Sequence, residues 1–208
     1  MLKKQMLFIP IAIIAAITSA CGNSSDIDYK ITKDSEMSSI KRTVEIILPE
    51  RVDEKELAKI ANDIYEDGFK RTFIGYRVKG NTEGAYWATT NYNPELKVNI
   101  IGLNKETYKK LISSESNIEG SIIGSWYISD GPIEYKLHIY SKNGKHNIKT
   151  IFSDGSETSE GLETLEKDGR KRYFTSNGKD IGEYYIIRKD GDLELWGSSG
   201  NYYTAKSI

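Results

Sequence analysis

The sequence is poor in the residues that most often carry chemistry. Among its 208 residues there is one cysteine, Cys21, and there are only two histidines. A lone cysteine cannot form a disulfide within the chain, so the fold has to rest on its core, and no second thiolate is present to bind a metal. The formal net charge is −1, from 29 basic and 30 acidic residues. A balance so near neutral gives no reason to expect nucleic acid as a partner.

Long apolar runs are missing except at the N-terminus. Lys3 and Lys4 are followed by an apolar stretch from Met6 to Ile17 and by the small residues Ser19 and Ala20. This order of positive charge, short apolar run and small residues is typical of a signal peptide, here over residues 1–20. The alternative of an uncleaved membrane anchor would need about 20 apolar residues, and this run is shorter.

The segment Thr18-Ser19-Ala20-Cys21 resembles the lipobox of bacterial lipoproteins. In that family the peptide is cut before the cysteine, the cysteine sulfur is lipid-modified and the new N-terminus is acylated. The sequence departs from the family at Thr18, where an aliphatic residue is usual. The resemblance implies cleavage between Ala20 and Cys21, lipidation of Cys21, and an anchor in the cell membrane or the outer membrane, facing the periplasm or the exterior. Several acyl chains hold a protein stably on a bilayer, so no further membrane segment is needed.

The region after the cysteine is polar. Residues 21–39 carry only scattered apolar side chains and are interpreted as a lipidated N-terminus and tether. The alternation of Tyr29 and Ile31 leaves a second interpretation open, in which Asp28 to Thr32 adds an edge strand to the domain that follows.

Residues 40–112 have the pattern of a small α+β domain. Apolar residues alternate over 43–48 and predict a first strand. Asp53, with Glu56 three residues later, forms a capping box that predicts a helix from Glu54 to Asp67. Further strands are predicted at 71–78, 85–92 and 96–101, followed by a short helix over 105–111 that Asn104 caps. In this β-α-β-β-β order the first two strands are parallel, the later pairs are antiparallel, and the first helix lies across the sheet.

A polar linker at 113–121 leads to an all-β region at 122–208. Six turn dipeptides divide this region: Asn143-Gly144, Asp154-Gly155, Asp168-Gly169, Asn177-Gly178, Asp190-Gly191 and Ser199-Gly200. Eight strands are predicted near 124–129, 134–141, 145–152, 157–166, 170–176, 182–189, 192–197 and 201–207. The predicted fold class is therefore α+β, a small β-α-β-β-β domain followed by an antiparallel eight-stranded meander. The meander closes into a barrel or splits into a sandwich, because open edges invite pairing with other chains.

Gly124-Ser125-Trp126, at the start of the first of these strands, resembles the Gly-x-Trp signature of lipocalins and lipocalin-like domains. In that family the tryptophan plugs the closed end of an eight-stranded barrel, which makes Trp126 the candidate barrel plug. Strands this short leave little room for a large ligand, so we expect side chains to fill the interior. Small barrels of this kind also occur in periplasmic lysozyme inhibitors, which usually rely on a disulfide that this chain lacks.

No pattern in the sequence indicates a reaction. His138 and His146 could approach each other across the Asn143-Gly144 turn, but the spacing sets no third and fourth ligand, so no metal and no cofactor are expected. Glu183 and Glu194 could face each other across a hairpin as an acid–base pair does, with no nucleophile to accompany them. No catalytic residue is assigned.

Aromatic residues on adjacent strands provide a candidate binding surface. Tyr76, Tyr86, Trp87 and Tyr92 could form a recognition face, or they could pack beneath the helix. The sequence as a whole predicts a membrane-anchored envelope lipoprotein that acts as a non-catalytic binding or inhibitory module for an envelope protein. A lipocalin-like carrier of a small apolar ligand is the first alternative, and an envelope hydrolase is the second.

Overall fold

The chain forms two sheets, each with its own core. The structure, a computed structural model, describes residues 27–80, 84–130 and 132–208. Its elements are β1 (Lys30–Met37), β2 (Lys41–Leu48), α1 (Glu54–Ile64), β3 (Arg71–Val78), β4 (Ala88–Tyr92), β5 (Leu96–Ile100), α2 (Lys105–Ser113), β6 (Ser121–Asp130), β7 (Ile133–Lys142), β8 (Lys145–Phe152), β9 (Glu157–Lys167), β10 (Arg170–Phe174), α3 (Ser176–Ile181), β11 (Tyr184–Ile187), β12 (Leu193–Gly197) and β13 (Gly200–Ala205). The predicted signal peptide and Cys21 lie outside the described residues. Within the described ranges, no helix has the length and apolar character that crossing a membrane requires.

The first sheet contains β1 to β5 in that spatial order. β2 and β3 are parallel because α1 connects them, and every other neighbouring pair is antiparallel. This arrangement confirms the predicted β-α-β-β-β order. The apolar stripe of α1, which includes Leu57 and Ile60, packs into one core with Ile46, Ile74 and Tyr76 of the sheet.

Both predicted helix caps are present. Asp53 Oδ1 accepts a hydrogen bond from the backbone N of Glu56 at 2.9 Å, and Asn104 Oδ1 accepts one from the backbone N of Thr107 at 2.9 Å. Helix α1 nevertheless ends at Ile64, earlier than predicted. The next residue, Tyr65, leaves the helical conformation and packs its ring on that of Tyr92, with centroids 4.3 Å apart.

Part of the segment predicted as a tether is a strand, which corrects that interpretation. β1 pairs with β2 from Lys30 opposite Ile47 to Met37 opposite Lys41. Before it, Ile27 and Tyr29 pack against the core of the domain. The alternative of an edge strand is therefore the better one, although the strand runs on to Met37. Every side chain of β1 is exposed, so its pairing rests on backbone hydrogen bonds and on polar contacts such as the ion pair of Asp34 with Arg42. These interactions leave no apolar pattern in the sequence.

The second sheet contains β6 to β13, each next to its neighbour in the sequence. All pairs are antiparallel, which confirms the predicted eight-stranded meander. The two ends of the sheet meet where Trp126 and Ser207 form a β-bridge and where the backbone N of Ile208 donates to Ser125 O at 3.0 Å. The sheet is thus a nearly closed barrel.

Five of the six predicted turn dipeptides lie at turns between strands, and one does not. Asn177-Gly178 lies inside α3, a short helix that the sequence pattern did not predict. The hydroxyl of Thr175 accepts a hydrogen bond from the backbone N of Gly178 at 2.9 Å, and Gly182 ends the helix with a φ of +79°. The hydrogen bond to the Thr175 cap favours a helix here over the hairpin turn that the Asn177-Gly178 dipeptide predicts.

Side chains fill the barrel. Its buried core consists of Trp126, Ile128, Leu137, Ile139, Ile148, Leu162, Tyr173, Leu193, Leu195 and Ala205. Trp126 is fully buried, and its indole Nε1 donates to the backbone O of Gly191 at 2.8 Å. A Cβ at Gly124 would lie only 2.4 Å from the Trp126 ring. The glycine of the Gly-x-Trp motif is therefore required for the tryptophan to lie along the strand.

Candidate functional site

The structure does not bring the four aromatic residues of the predicted recognition face together. Tyr76 is fully buried beneath α1, where its hydroxyl lies 3.0 Å from Thr90 Oγ1. Burial raises the pKa of this phenol well above its ordinary value. For Tyr76 the structure therefore shows the second possibility left open by the sequence, in which the ring packs beneath the helix.

The other three aromatic residues have separate environments. Trp87 is buried, and its Nε1 donates to Leu103 O at 2.9 Å. Tyr86 lies on the opposite face of the sheet from Tyr76, with its ring over Gly75 and 4.2 Å from the guanidinium carbon of Arg77. Tyr92 is half-buried and donates its hydroxyl to Asn62, at the end of α1. These residues therefore offer no common contact face.

A buried ion pair joins the α+β domain to the barrel. Arg51 Nη1 lies 2.9 Å from Glu134 Oε2, and Arg51 Nη2 lies 2.8 Å from Glu134 Oε1. Both side chains are at most 6% exposed. Glu134 also accepts hydrogen bonds from the backbone N of Leu103 at 2.6 Å and from Ser129 Oγ at 2.9 Å. These partners compensate the buried negative charge of Glu134, which would otherwise be costly to keep out of water.

Aromatic rings surround the guanidinium of Arg51. Its central carbon is 4.3 Å from the ring centroid of Tyr108, 5.6 Å from that of Tyr127 and 5.8 Å from that of Trp87. Arg51 Nη2 also donates to the Tyr127 hydroxyl at 2.7 Å, and burial raises the pKa of this phenol strongly. The planar guanidinium can stack on rings and form a bidentate ion pair at once, which lysine cannot do.

The linker between the domains is held against the outer face of the barrel. Lys136 Nζ donates to Ile112 O at 3.1 Å and to Ser114 O at 2.8 Å, and Lys149 Nζ donates to Asn117 O at 3.2 Å. The side chains of Lys136 and Lys149 are buried by these contacts. The alternating polar residues of β7 suggest a solvated face, but the linker and the first domain cover it.

His138 belongs to the same covered face. Its Nδ1 lies 2.7 Å from Ser125 Oγ and its Nε2 lies 3.1 Å from Ser116 Oγ of the linker. Burial, with added repulsion from Lys136 and Lys149, lowers the pKa of His138 to about 4. The imidazole is therefore neutral at physiological pH.

The two histidines do not form a site together. In the register of β7 and β8, His138 lies opposite Lys149, whereas His146 lies opposite Ser141. The two imidazoles thus lie on opposite faces of the sheet, and His146 packs edge-on against the ring of Tyr173 inside the barrel. Among the residues that the structure describes, no group of three or more His, Cys, Asp or Glu residues could hold a metal ion.

The pair of glutamates suggested by the sequence is also separated. Glu194 lies opposite Ile186 on one side and Thr204 on the other. It accepts a hydrogen bond from Trp196 Nε1 at 2.8 Å and forms an ion pair with Arg170 at 3.3 Å. Glu183 lies just before β11, whereas Glu194 lies opposite Ile186 within that strand, so the two glutamates do not face each other.

Four of the loops between barrel strands lie together at one end of the barrel. In an antiparallel meander alternate loops lie at the same end, so the loops that follow β6, β8, β10 and β12 are grouped together. They lie opposite the end that carries the turn at Gly191, which Trp126 contacts. We call these loops, with the strand residues directly beside them, the rim. It comprises residues 132–133, 153–156, 175–183 and 198–202.

Large apolar side chains are exposed at the rim. Ile133, the first residue of β7, is 62% exposed, Ile181 at the end of α3 is 55% exposed, and Tyr202 in β13 is 58% exposed. A cleft of about 300 Å³ is lined by Ile181, Glu183 and residues 197–202. A second cleft, of about 480 Å³, is lined by residues 132–134, 152–154 and 156. Neither cleft is lined by a residue of the barrel core, so both are features of the surface.

Sequence reasoning missed the rim. Ile133, Ile181 and Tyr202 belong to three separate elements, and only the barrel brings them to one end. Comparison with known protein families gives no match to this chain, and searches of curated proteins and of solved structures find none either.

Proposed function

We propose that the protein is a lipid-anchored lipoprotein of the bacterial cell envelope, a non-catalytic module that binds an envelope protein through its rim. The observation that carries this proposal is the grouping of three exposed apolar side chains, Ile133, Ile181 and Tyr202, beside two clefts at one end of the barrel. Apolar residues that are exposed together next to a cleft mark an interaction site more often than scattered ones do.

The anchor in this proposal rests on the sequence at Cys21 alone, through its resemblance to the lipobox. The surroundings of two of the candidate acid–base groups, His138 and Glu194, support a non-catalytic role in this proposal. Linker residue Ser116 covers His138, and Glu194 is engaged by Arg170 and Trp196. Neither group is placed to transfer a proton to a bound substrate.

A carrier of a small apolar ligand is the weaker candidate. Such a carrier needs a cavity inside the barrel, whereas the interior beneath Trp126 is packed with aliphatic and aromatic side chains. The clefts at the rim suit side chains of a protein partner better than an enclosed ligand.

Site-specific photo-crosslinking in living cells tests the proposal. A benzophenone amino acid is placed at Ile181 on the rim and, as a matched control, at Leu165 on the side wall of the barrel. The two residues are similarly exposed, at 55% and 53%. We expect a discrete crosslinked protein from position 181 and none from position 165. No crosslink at 181, or the same crosslinks at both positions, would contradict binding through the rim.

A further inference from the structure

The rim is acidic as well as apolar. Its described residues include three acids, Asp154, Asp180 and Glu183, and one base, Lys179. Lys179 forms an ion pair with Glu163 on β9, so its charge is already compensated. Asp154, Asp180 and Glu183 form no salt bridge in the part of the chain that the structure describes. The acids therefore determine the sign of the potential around the clefts.

The opposite end of the barrel has the reverse balance. Lys142, Arg170, Arg188 and Lys206 around its turns are paired with acids, namely Glu119, Glu194, Asp190 and Asp192. Three further bases, Lys145, Lys167 and Lys189, form no salt bridge among the described residues, whereas Glu166 is an acid at this end without one. The overall charge of the chain is close to neutral, so this polarity arises from how the meander distributes the charges between its two ends. A charged partner segment would be attracted to one end and repelled from the other.

The cleft beside Ile181 has both an acidic and an apolar lining. Glu183 lines it directly, and the exposed side chains of Ile181 and Tyr202 flank it. Gly197 and Gly200 also line it, and a Cβ built at Gly197 would lie 3.6 Å from the ring of Tyr202. A space of about 300 Å³ takes one or two side chains of a partner but no folded domain.

We infer that the rim binds a short polypeptide segment of a partner protein in which basic and apolar side chains are close together. The apolar side chain enters the cleft between Ile181 and Tyr202, and the basic side chain pairs with Glu183 or Asp180. This inference rests on the proposed function, to which it adds the chemistry of the partner. An acidic or purely polar segment would meet repulsion or leave the apolar surface exposed.

Fluorescence anisotropy with synthetic peptides tests the inference. The probes are labelled octapeptides that alternate Lys with Leu, Glu with Leu, and Lys with Ser. Each is titrated with the full chain in zwitterionic detergent micelles, and empty micelles serve as the blank. We expect binding of the Lys/Leu peptide above the blank, and at least about fivefold weaker binding of the other two peptides. Equal binding of the Lys/Leu and Glu/Leu peptides, or no binding of the Lys/Leu peptide, would overturn the inference.

Charge-neutralising variants test whether the Lys/Leu peptide binds at the rim. The double variant Asp180→Asn/Glu183→Gln should bind the Lys/Leu peptide about fivefold more weakly, because each partly exposed ion pair contributes modestly. The matched control, Asp168→Asn/Asp190→Asn, removes two acids at the opposite end and should leave binding unchanged or only slightly weaker. An equal loss in both double variants would overturn the assignment to the rim. If position 181 still gives a discrete crosslink in cells while the Lys/Leu peptide fails to bind, the proposed function stands and only the basic character of the partner is wrong.

Discussion

Arg51 of the α+β domain and Glu134 of the barrel are 83 residues apart in the sequence and form a bidentate ion pair, with N–O distances of 2.9 and 2.8 Å. The pair lies where the two domains meet, and the rings of Tyr108 and Tyr127 contact the guanidinium. Because both charges are buried, each depends on the other for compensation. The junction therefore favours one arrangement of the domains over others that would leave a buried charge without its partner.

Removal of one member of this pair should destabilise the protein much more than removal of both. We expect Glu134→Gln to lower the free energy of unfolding by about 3 kcal/mol, since it leaves the Arg51 charge buried without a counter-charge. The double variant Arg51→Met/Glu134→Gln should recover a large part of this loss. Urea unfolding of the wild type, both single variants and the double variant gives the coupling energy. Additive effects of the two substitutions would show that the pair does not act as a unit.

His138 should make the protein less stable in mild acid. Its pKa is lowered from 6.5 to about 4 in the folded state, so the unfolded chain binds more protons between these pH values. The contribution of the neutral imidazole is thus fully present above pH ~6.5 and is lost as the pH falls towards ~4, by about 2–3 kcal/mol. We expect His138→Gln to flatten the dependence of unfolding free energy on pH over this window.

The control for this measurement is the same pH series on the wild type. The carboxylates titrate alike in both proteins, so the difference between the two curves isolates the imidazole. Parallel curves for wild type and His138→Gln at pH 7, 5.5 and 4.5 would contradict a buried neutral histidine.

Gly124 should resist substitution because of Trp126. An added Cβ would lie 2.4 Å from the indole ring, which is fully buried and cannot move away freely. We expect Gly124→Ala to cost about 1–3 kcal/mol of stability through overpacking and to change the tryptophan fluorescence. Gly161→Ala on β9 is the control, since nothing lies within 4 Å of a Cβ built there. A similar unfolding midpoint for the two variants would speak against the close contact.

Cys21→Ser should release the protein from membranes without unfolding it. If Cys21 carries the lipid, its substitution removes the only anchor that the proposal contains, and both domains fold downstream of it. Fractionation of cells after high-salt and carbonate washes, with immunodetection of the protein, measures the change. A variant that stays with the membrane through both washes would refute the lipid anchor.

Much of the fold could be predicted because its signals are local. The capping oxygens of Asp53 and Asn104 act within three residues, and a turn such as Asp168-Gly169 depends only on its own backbone angles. Alternating apolar residues likewise define one face of a barrel strand such as β7 without reference to the rest of the chain. Where a tertiary contact competes with the local signal, as Tyr92 does at the end of α1, the prediction is wrong by a few residues.

The candidate site could not be predicted in the same way. Periodicity shows that Glu134, Lys136 and His138 face away from the barrel core, but it cannot show that the linker and Arg51 cover them. The exposed apolar residues of the rim belong to β7, α3 and β13, which only the closed meander brings to one end. The sequence by itself therefore determined most of the strands and turns and the caps of α1 and α2, which depend on neighbours along the chain, but not β1 or α3. Only the tertiary structure decided which polar residues are buried at the domain junction and which apolar residues remain exposed, because burial depends on what packs from elsewhere in the chain.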